Sequence, residues 1–188
     1  MQMSYGELLA ITLDELRDAL ERVDETELVA LMDDIDRAPR IFTLGIGREG
    51  LATKAFAMRL THYGKVVHWG WDDTTPNVAS GDLFILASGP GNIPHLHHVA
   101  TMVRAAGARL VVITAYPQSD TAQLGSQVVR LPAHTYGAPD GDVAGSVQPM
   151  GTLFEQSLFL LYDLLYGLLV RRAGVDFGTL AARHRNFE

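Results

Sequence analysis

The spacing of apolar positions divides the chain at about residue 40. Before it, Leu13, Leu16, Leu20 and Val23 recur at steps of three and four, and Leu28, Leu31 and Met32 do so again. That is the period of a helix with one buried face. Two helices are predicted there, the second capped by Asp24 and Thr26. Beyond residue 40 the pattern changes to short apolar runs at 41–44, 66–69, 83–87, 110–114 and 128–131. Helical stretches at about 51–63, 94–106 and 119–124 separate them. Strands alternating with helices predict a parallel sheet covered on both faces. Right-handed crossovers then make it a doubly wound α/β sandwich.

A Gly-, Pro- and Asp-rich loop follows at 133–146. After it come a long apolar helix at 152–170, a short helix near 177–183 and a charged tail, Arg183-His184-Arg185-Asn186-Phe187-Glu188. No linker interrupts the chain. One domain over 1–188 is expected, with N-terminal helices to 39, a sheet core over 40–132, a loop over 133–151 and C-terminal helices beyond. Glu155, Gln156 and Asp163 interrupt the apolar helix. It therefore reads as the buried helix of a core or subunit interface and not as a membrane span, which needs roughly 20 largely apolar residues. No basic-then-apolar leader is visible in the first residues, and a cytoplasmic protein is expected.

Composition narrows the chemistry. A net charge of −7 over 188 residues argues against nucleic-acid binding through a basic face. The absence of cysteine excludes disulfides, thiol catalysis and Cys-ligated metals.

Ligands of open parallel sheets bind beyond the carboxyl ends of the strands. Two predicted strands end there in glycine-bearing loops, Gly45-Ile-Gly47-Arg48-Glu49-Gly50 and Ser88-Gly89-Pro90-Gly91-Asn92-Ile93. Backbone amides in such turns favour an anion or a polar oxygen. The first matches the dinucleotide pattern G-x-G-x-x-G, but Asp72 and Asp73 follow the second strand instead of ending it. The chain also lacks room for a separate substrate domain, so a nicotinamide cofactor is not expected. His95 and His98 share a helix face that His97 does not, with no carboxylate at helical spacing, so no metal is expected either.

Glu155 falls in the first turn of the most apolar helix. It reads equally as an acid stabilised by the helix dipole and as a general base at the edge of a cleft. His184 reads as an exposed tail residue or as an acid–base group.

Four segments in order carry a family resemblance: Lys54-Ala-Phe-Ala-Met-Arg-Leu60; Thr74-Thr-Pro76 before Gly81-Asp-Leu83; Ser146-Val-Gln-Pro-Met-Gly-Thr-Leu-Phe-Glu-Gln156; and the ending Arg183-His-Arg-Asn-Phe-Glu188. From about Ile41 onward the chain resembles the sugar isomerase (SIS) domain family, and within it the 6-phospho-3-hexuloisomerases. The resemblance implies a three-layer αβα sandwich with a five-stranded parallel sheet, flavodoxin-like or Rossmann-like, assembled as a homodimer or homotetramer. It implies a sugar or sugar phosphate as ligand and no cofactor. A carbonyl moves between neighbouring carbons through a cis-enediolate. On this resemblance Glu155 is the base, His184 moves protons at the oxygens and Arg48 stabilises the enediolate. Gly47, Glu49, Ser88, Gly89, Gly91, Asn92, Thr114 and Ser119 are the substrate-binding candidates.

The chain departs from the family pattern at the loops. Glu49 stands where the family has serine, and Pro90, Asn92 and Ile93 stand where it has serine, glutamate and threonine. Those hydroxyls hold the sugar phosphate in the family, so weak phosphate binding is expected. An isomerase for a sugar without the terminal phosphate, and a non-catalytic sugar-binding protein, are the alternatives.

Overall fold

The computed structural model describes residues 3–137 and 141–187. Part of the predicted 133–146 loop, residues 138–140, and the terminal Glu188 lie outside the described residues.

Five parallel strands form the sheet: β1 (Ile41–Leu44), β2 (Val67–Trp69), β3 (Leu83–Ala87), β4 (Arg109–Thr114) and β5 (Gln127–Arg130), in the order β2-β1-β3-β4-β5. The helices are α1 (Tyr5–Glu21), α2 (Glu25–Arg37), α3 (Gly47–Tyr63), α4 (Pro94–Ala105), α5 (Asp120–Gln123), α6 (Thr152–Ala173) and α7 (Phe177–Ala182). The expected doubly wound α/β sandwich is what forms.

Strand alternation sorts the core into two layers. Ile41, Leu83, Ile85, Val111, Ile113 and Val129 face α2, α3 and α6, and Phe42, Leu44, Phe84, Leu86, Leu110 and Val112 face α4. The three middle strands are buried on both sides, which is why they read as unbroken apolar runs. The edge strands β2 and β5 are only half-buried.

The α6 helix has the length and apolarity to cross a membrane, but Leu153, Phe154, Leu158, Leu161, Tyr162, Leu165 and Leu169 pack in the core. Its other side leaves Phe159, Leu160, Leu164 and Leu168 exposed. The first helix packs on α6 and opens with a full Ser4–Glu7 capping box, and Asp24 caps α2 as expected.

Ion pairs tie the amino ends of the strands. Buried Asp82 meets Arg40 at 2.6 Å, and buried Asp34 accepts from Arg109 and Arg37. The carboxyl ends are left to loops. With this strand order the chain reverses direction across the sheet between β1 and β3, so the crevice of the fold lies between their carboxyl ends.

The main departure from the expected boundaries is α3. It begins at Gly47, four residues before 51, because the glycine loop is itself the helix's first turn. A Cβ on Gly50 would stand 2.7 Å from the Gly45 carbonyl oxygen, so this close turn requires glycine. Gly47 adopts φ +56°, a value that also favours glycine. At the other end of the chain α6 runs to Ala173, past the expected 170, and stops where Gly174 turns left-handed.

Candidate active site

Two candidate residues from distant parts of the sequence meet. Arg48 lies in the first turn of α3 and Glu155 in the first turn of α6, and Arg48 Nε stands 2.8 Å from Glu155 Oε2. The carboxylate is 20% exposed and the guanidinium 60%. They lie against a cavity of about 520 Å³ that Thr12 and Leu16 of α1, Leu51 of α3 and Gln156, Phe159 and Leu160 of α6 also line. Gln156 Oε1 is buried there with no hydrogen-bond partner among the described residues. The wall is largely apolar, and one charged pair faces it. The exposed guanidinium leaves the pair partly screened by solvent.

The second glycine loop approaches the first. Glu49 Oε2 accepts a hydrogen bond from the Gly89 amide at 3.1 Å, joining the loop after β1 to the loop after β3. Burial pushes the Glu49 carboxyl up to about 7; the Gly89 hydrogen bond opposes this and the nearby Glu155 charge adds to it. On the core side Thr53 Oγ1 donates to the Glu49 carbonyl and lies 3.3 Å from the hydroxyl of Tyr162, which stacks on Phe56. This packing fixes the first turn of α3 against α6.

Thr114 is spent on holding the second loop. Its hydroxyl donates to the Gly89 carbonyl and accepts from the Tyr116 amide. Both roles are internal, so Thr114 positions Gly89 instead of reaching outward. Ser88 and Ser119 have buried hydroxyls with no partner among the described residues. Gly91 takes φ +66°, and a Cβ there would lie 2.0 Å from Ser119 Oγ. Asn92 is exposed at the rim, as is Gly47 at the start of α3.

His184 lies elsewhere. Its ring packs 5.1 Å from that of His62, at the carboxyl end of α3, beside a cavity of about 710 Å³ lined also by Arg59, Asp163 and Phe177. Arg48 and His62 are 14 positions apart on one helix, about 21 Å at 1.5 Å per residue. The structure therefore brings Arg48, Glu155 and Glu49 together and keeps the same chain's His184 apart. Arg183 fixes the tail there by donating to the His62 and Tyr63 carbonyls. Asp72, the acid that follows the second strand, caps its own turn at Thr74, and His95 packs against Trp71.

Sequence reasoning missed Glu15. From α1 it accepts from the Ser146 hydroxyl, the Val147 amide and the Gln148 side chain, and so clamps the segment that leads into α6. A lone glutamate on a helix gives no signal of a partner 131 residues away. It also missed Thr121 and Thr135, whose hydroxyls are buried beside the second loop without partners among the described residues.

Comparison with known proteins gives concordant results. A family model described as the SIS domain matches residues 34–136. The chain is 36% identical to the 3-hexulose-6-phosphate isomerase of Bacillus subtilis, covering 99% of this chain and 100% of that one. It is 36% identical to the 3-hexulose-6-phosphate isomerase of Mycobacterium gastri, over 96% and 89% of the two chains. A crystal structure from Methanococcus jannaschii, described as inferring a 3-hexulose-6-phosphate isomerase function, superposes with a TM-score of 0.83 at 27% identity, covering 96% of this chain and 98% of that one.

Proposed function

The chain belongs to the SIS domain family, and from that premise we propose that it is a sugar-phosphate isomerase that interconverts a 3-hexulose 6-phosphate and fructose 6-phosphate. The observation that carries the reading is the Arg48–Glu155 pair at 2.8 Å against an apolar cavity, next to the loops at the sheet's carboxyl edge.

Each group has a task in that chemistry. Glu155 takes the proton from the C2 carbon of the 3-ketose. The electrons of that C–H bond form the C2–C3 double bond of a cis-enediolate, and the C3 carbonyl oxygen becomes the oxyanion. Glu155 then returns the proton to C3 while the C2 oxygen becomes the carbonyl, its proton passing to O3. No atom is gained or lost. One base serves both carbons because C2 and C3 are adjacent and the proton leaves and returns on the same face of the cis-enediolate. Arg48 engages Glu155 Oε2 through a charge-assisted bond. Its remaining N–H groups are suited to the developing oxyanion, a contribution of several kcal/mol when such donors are pre-placed.

The transfer between O2 and O3 needs a second group, and we assign it to His184 of a neighbouring copy. The own-chain histidine stands at the far end of α3. The exposed Phe159, Leu160, Leu164 and Leu168 of α6, with Leu8, Leu9 and Leu13 of α1, form an apolar surface suited to a second copy.

A second reading, a sugar without a terminal phosphate, is favoured by the Glu49 carboxylate at the Gly89 amide. A thermal-shift comparison of fructose 6-phosphate with fructose separates the two: stabilisation by the phosphorylated sugar alone supports the first reading, and stabilisation by the free sugar alone supports the second. A ligand at 100 times its Kd stabilises by roughly 2.7 kcal/mol.

A further inference from the structure

One side chain spans the crevice between β1 and β3. Glu49 Oε2 accepts from the Gly89 amide at 3.1 Å, and a Cβ on Gly89 would stand only 2.7 Å from Glu49 Oε1. Both carboxylate oxygens therefore crowd the second loop.

The loop itself carries donors. The buried hydroxyls of Ser88, within it, and Ser119, against it, have no hydrogen-bond partner among the described residues, and Thr121 and Thr135 pack on it through a backbone amide and a methyl group. A Cβ on Gly91 would meet Ser119 Oγ at 2.0 Å, the Thr121 amide donates to the Gly91 carbonyl at 3.3 Å, and a Cβ on Gly89 would lie 2.9 Å from the Thr135 methyl. The loop leads into α4, whose N-cap Ile93 provides no side-chain acceptor. The Gly89 amide and serine hydroxyls beside a helix start suit a phosphate. Here a carboxylate from the protein already takes that amide.

A carboxylate and a phosphate dianion do not share such a place cheaply. Like charges a few ångströms apart repel, and far more strongly where screening is poor than in water. The ionisable groups facing Glu49 do not relieve this. Glu155 on α6 is itself an acid, the Tyr162 hydroxyl on α6 is held neutral by burial, and Arg48 is paired with Glu155. The loop after β3 and Thr135 bring no charge.

We infer that Glu49 is a specificity-determining residue that holds the Gly89 amide against the substrate's terminal phosphate, so that a phosphorylated sugar settles on this loop only as Glu49 takes up a proton. The proton comes from solvent, stays on the Glu49 carboxyl while phosphate is bound and leaves on release. The inference rests on the sugar-phosphate reading above and explains how a loop short of the family's hydroxyls regulates entry at that same site.

Isothermal titration calorimetry of fructose 6-phosphate into the wild-type protein and Glu49→Gln tests it. At pH 8 the sugar phosphate is already a dianion, its second ionisation lying near 6, so it contributes no proton change. The expected result is at least fivefold tighter binding by the variant at pH 8, converging with the wild type near pH 6. Titrations in buffers of different ionisation enthalpy should show net proton uptake by the wild type that the variant lacks. Equal affinities and equal proton counts at pH 8, or no binding to either protein, would overturn the inference. If the variant fails to fold, the wild-type proton count decides alone: uptake at pH 8 supports the inference and zero uptake overturns it. Binding is read without turnover, so this proton signature in a protein that does not isomerise would sink the isomerase reading and leave the role of Glu49 standing.

Discussion

Glu155 and Arg48 stand 2.8 Å apart although 107 positions separate them, and the first turns of two helices bring them there. The helix that carries Glu155 is mostly apolar, and its first turn is set by the Glu15 clamp on the preceding segment. The carboxylate is thus fixed at a rim where it is partly dehydrated and still reachable.

Glu155→Gln keeps the shape and the partner but removes the carboxylate proposed as the base. Turnover should fall at least 100-fold, the usual scale for a general base, with circular dichroism and the melting temperature close to wild type. Arg48→Met should lower kcat by a similar factor and change KM much less, because the developing oxyanion exists only along the reaction path. A kinetic run on each variant checks both.

Glu49 makes stability depend on pH with a definite sign. Its folded pKa is about 7 against an ordinary 4.5. Between those values the folded chain holds more protons than the unfolded one, so the wild type loses stability as pH rises through that window. Glu49→Gln should match the wild type below pH 4.5 and exceed it at pH 8 by about 1–3 kcal/mol, discounted from the full linkage value because the carboxyl is only partly buried. Urea titrations at pH 4.5 and 8 measure the difference.

The fold was legible in the sequence where burial is complete. The 41–44 and 83–87 runs match β1 and β3 residue for residue, because strands buried on both faces admit few polar residues. Glu155 and Arg48 were legible as candidates through motif order, although nothing in local spacing predicts their contact. The reach of Glu49 across the crevice was not legible, since it depends on α3 starting inside the glycine loop, which pattern reading takes as a turn. The placement of His184 depends on Gly64, whose φ of +107° ends α3 and leaves room for the Arg183 guanidinium. A glycine in a sequence records neither its φ nor what lies against it.

Gly64→Ala should therefore disturb the tail as well as the helix end. A Cβ there would stand 2.7 Å from Arg183 Nη1, in a backbone conformation that alanine resists. Destabilisation of about 1–3 kcal/mol is expected. If the tail serves a neighbouring site, activity per folded protein should fall as well, and chemical denaturation alongside initial rates separates the two effects.

Mixing tests whether that service is in trans. Glu155→Gln and His184→Ala, each inactive alone, should recover a fraction of wild-type activity when subunits exchange, because some sites in the hybrids regain both groups. Recovery of none under proven exchange would overturn the assignment of His184 to a neighbouring site.

The central claim is that one carboxylate carries a proton between C2 and C3 of a ketose phosphate. Incubation of fructose 6-phosphate with the protein in D2O, followed by proton and carbon NMR, reads this directly. The account predicts that the 3-ketose forms with the C3 proton either delivered to C2 or replaced there by deuterium while it rests on Glu155, with no exchange at C1 and neither outcome with Glu155→Gln. Exchange at C1, or 3-ketose formation by Glu155→Gln at the wild-type rate, would contradict it.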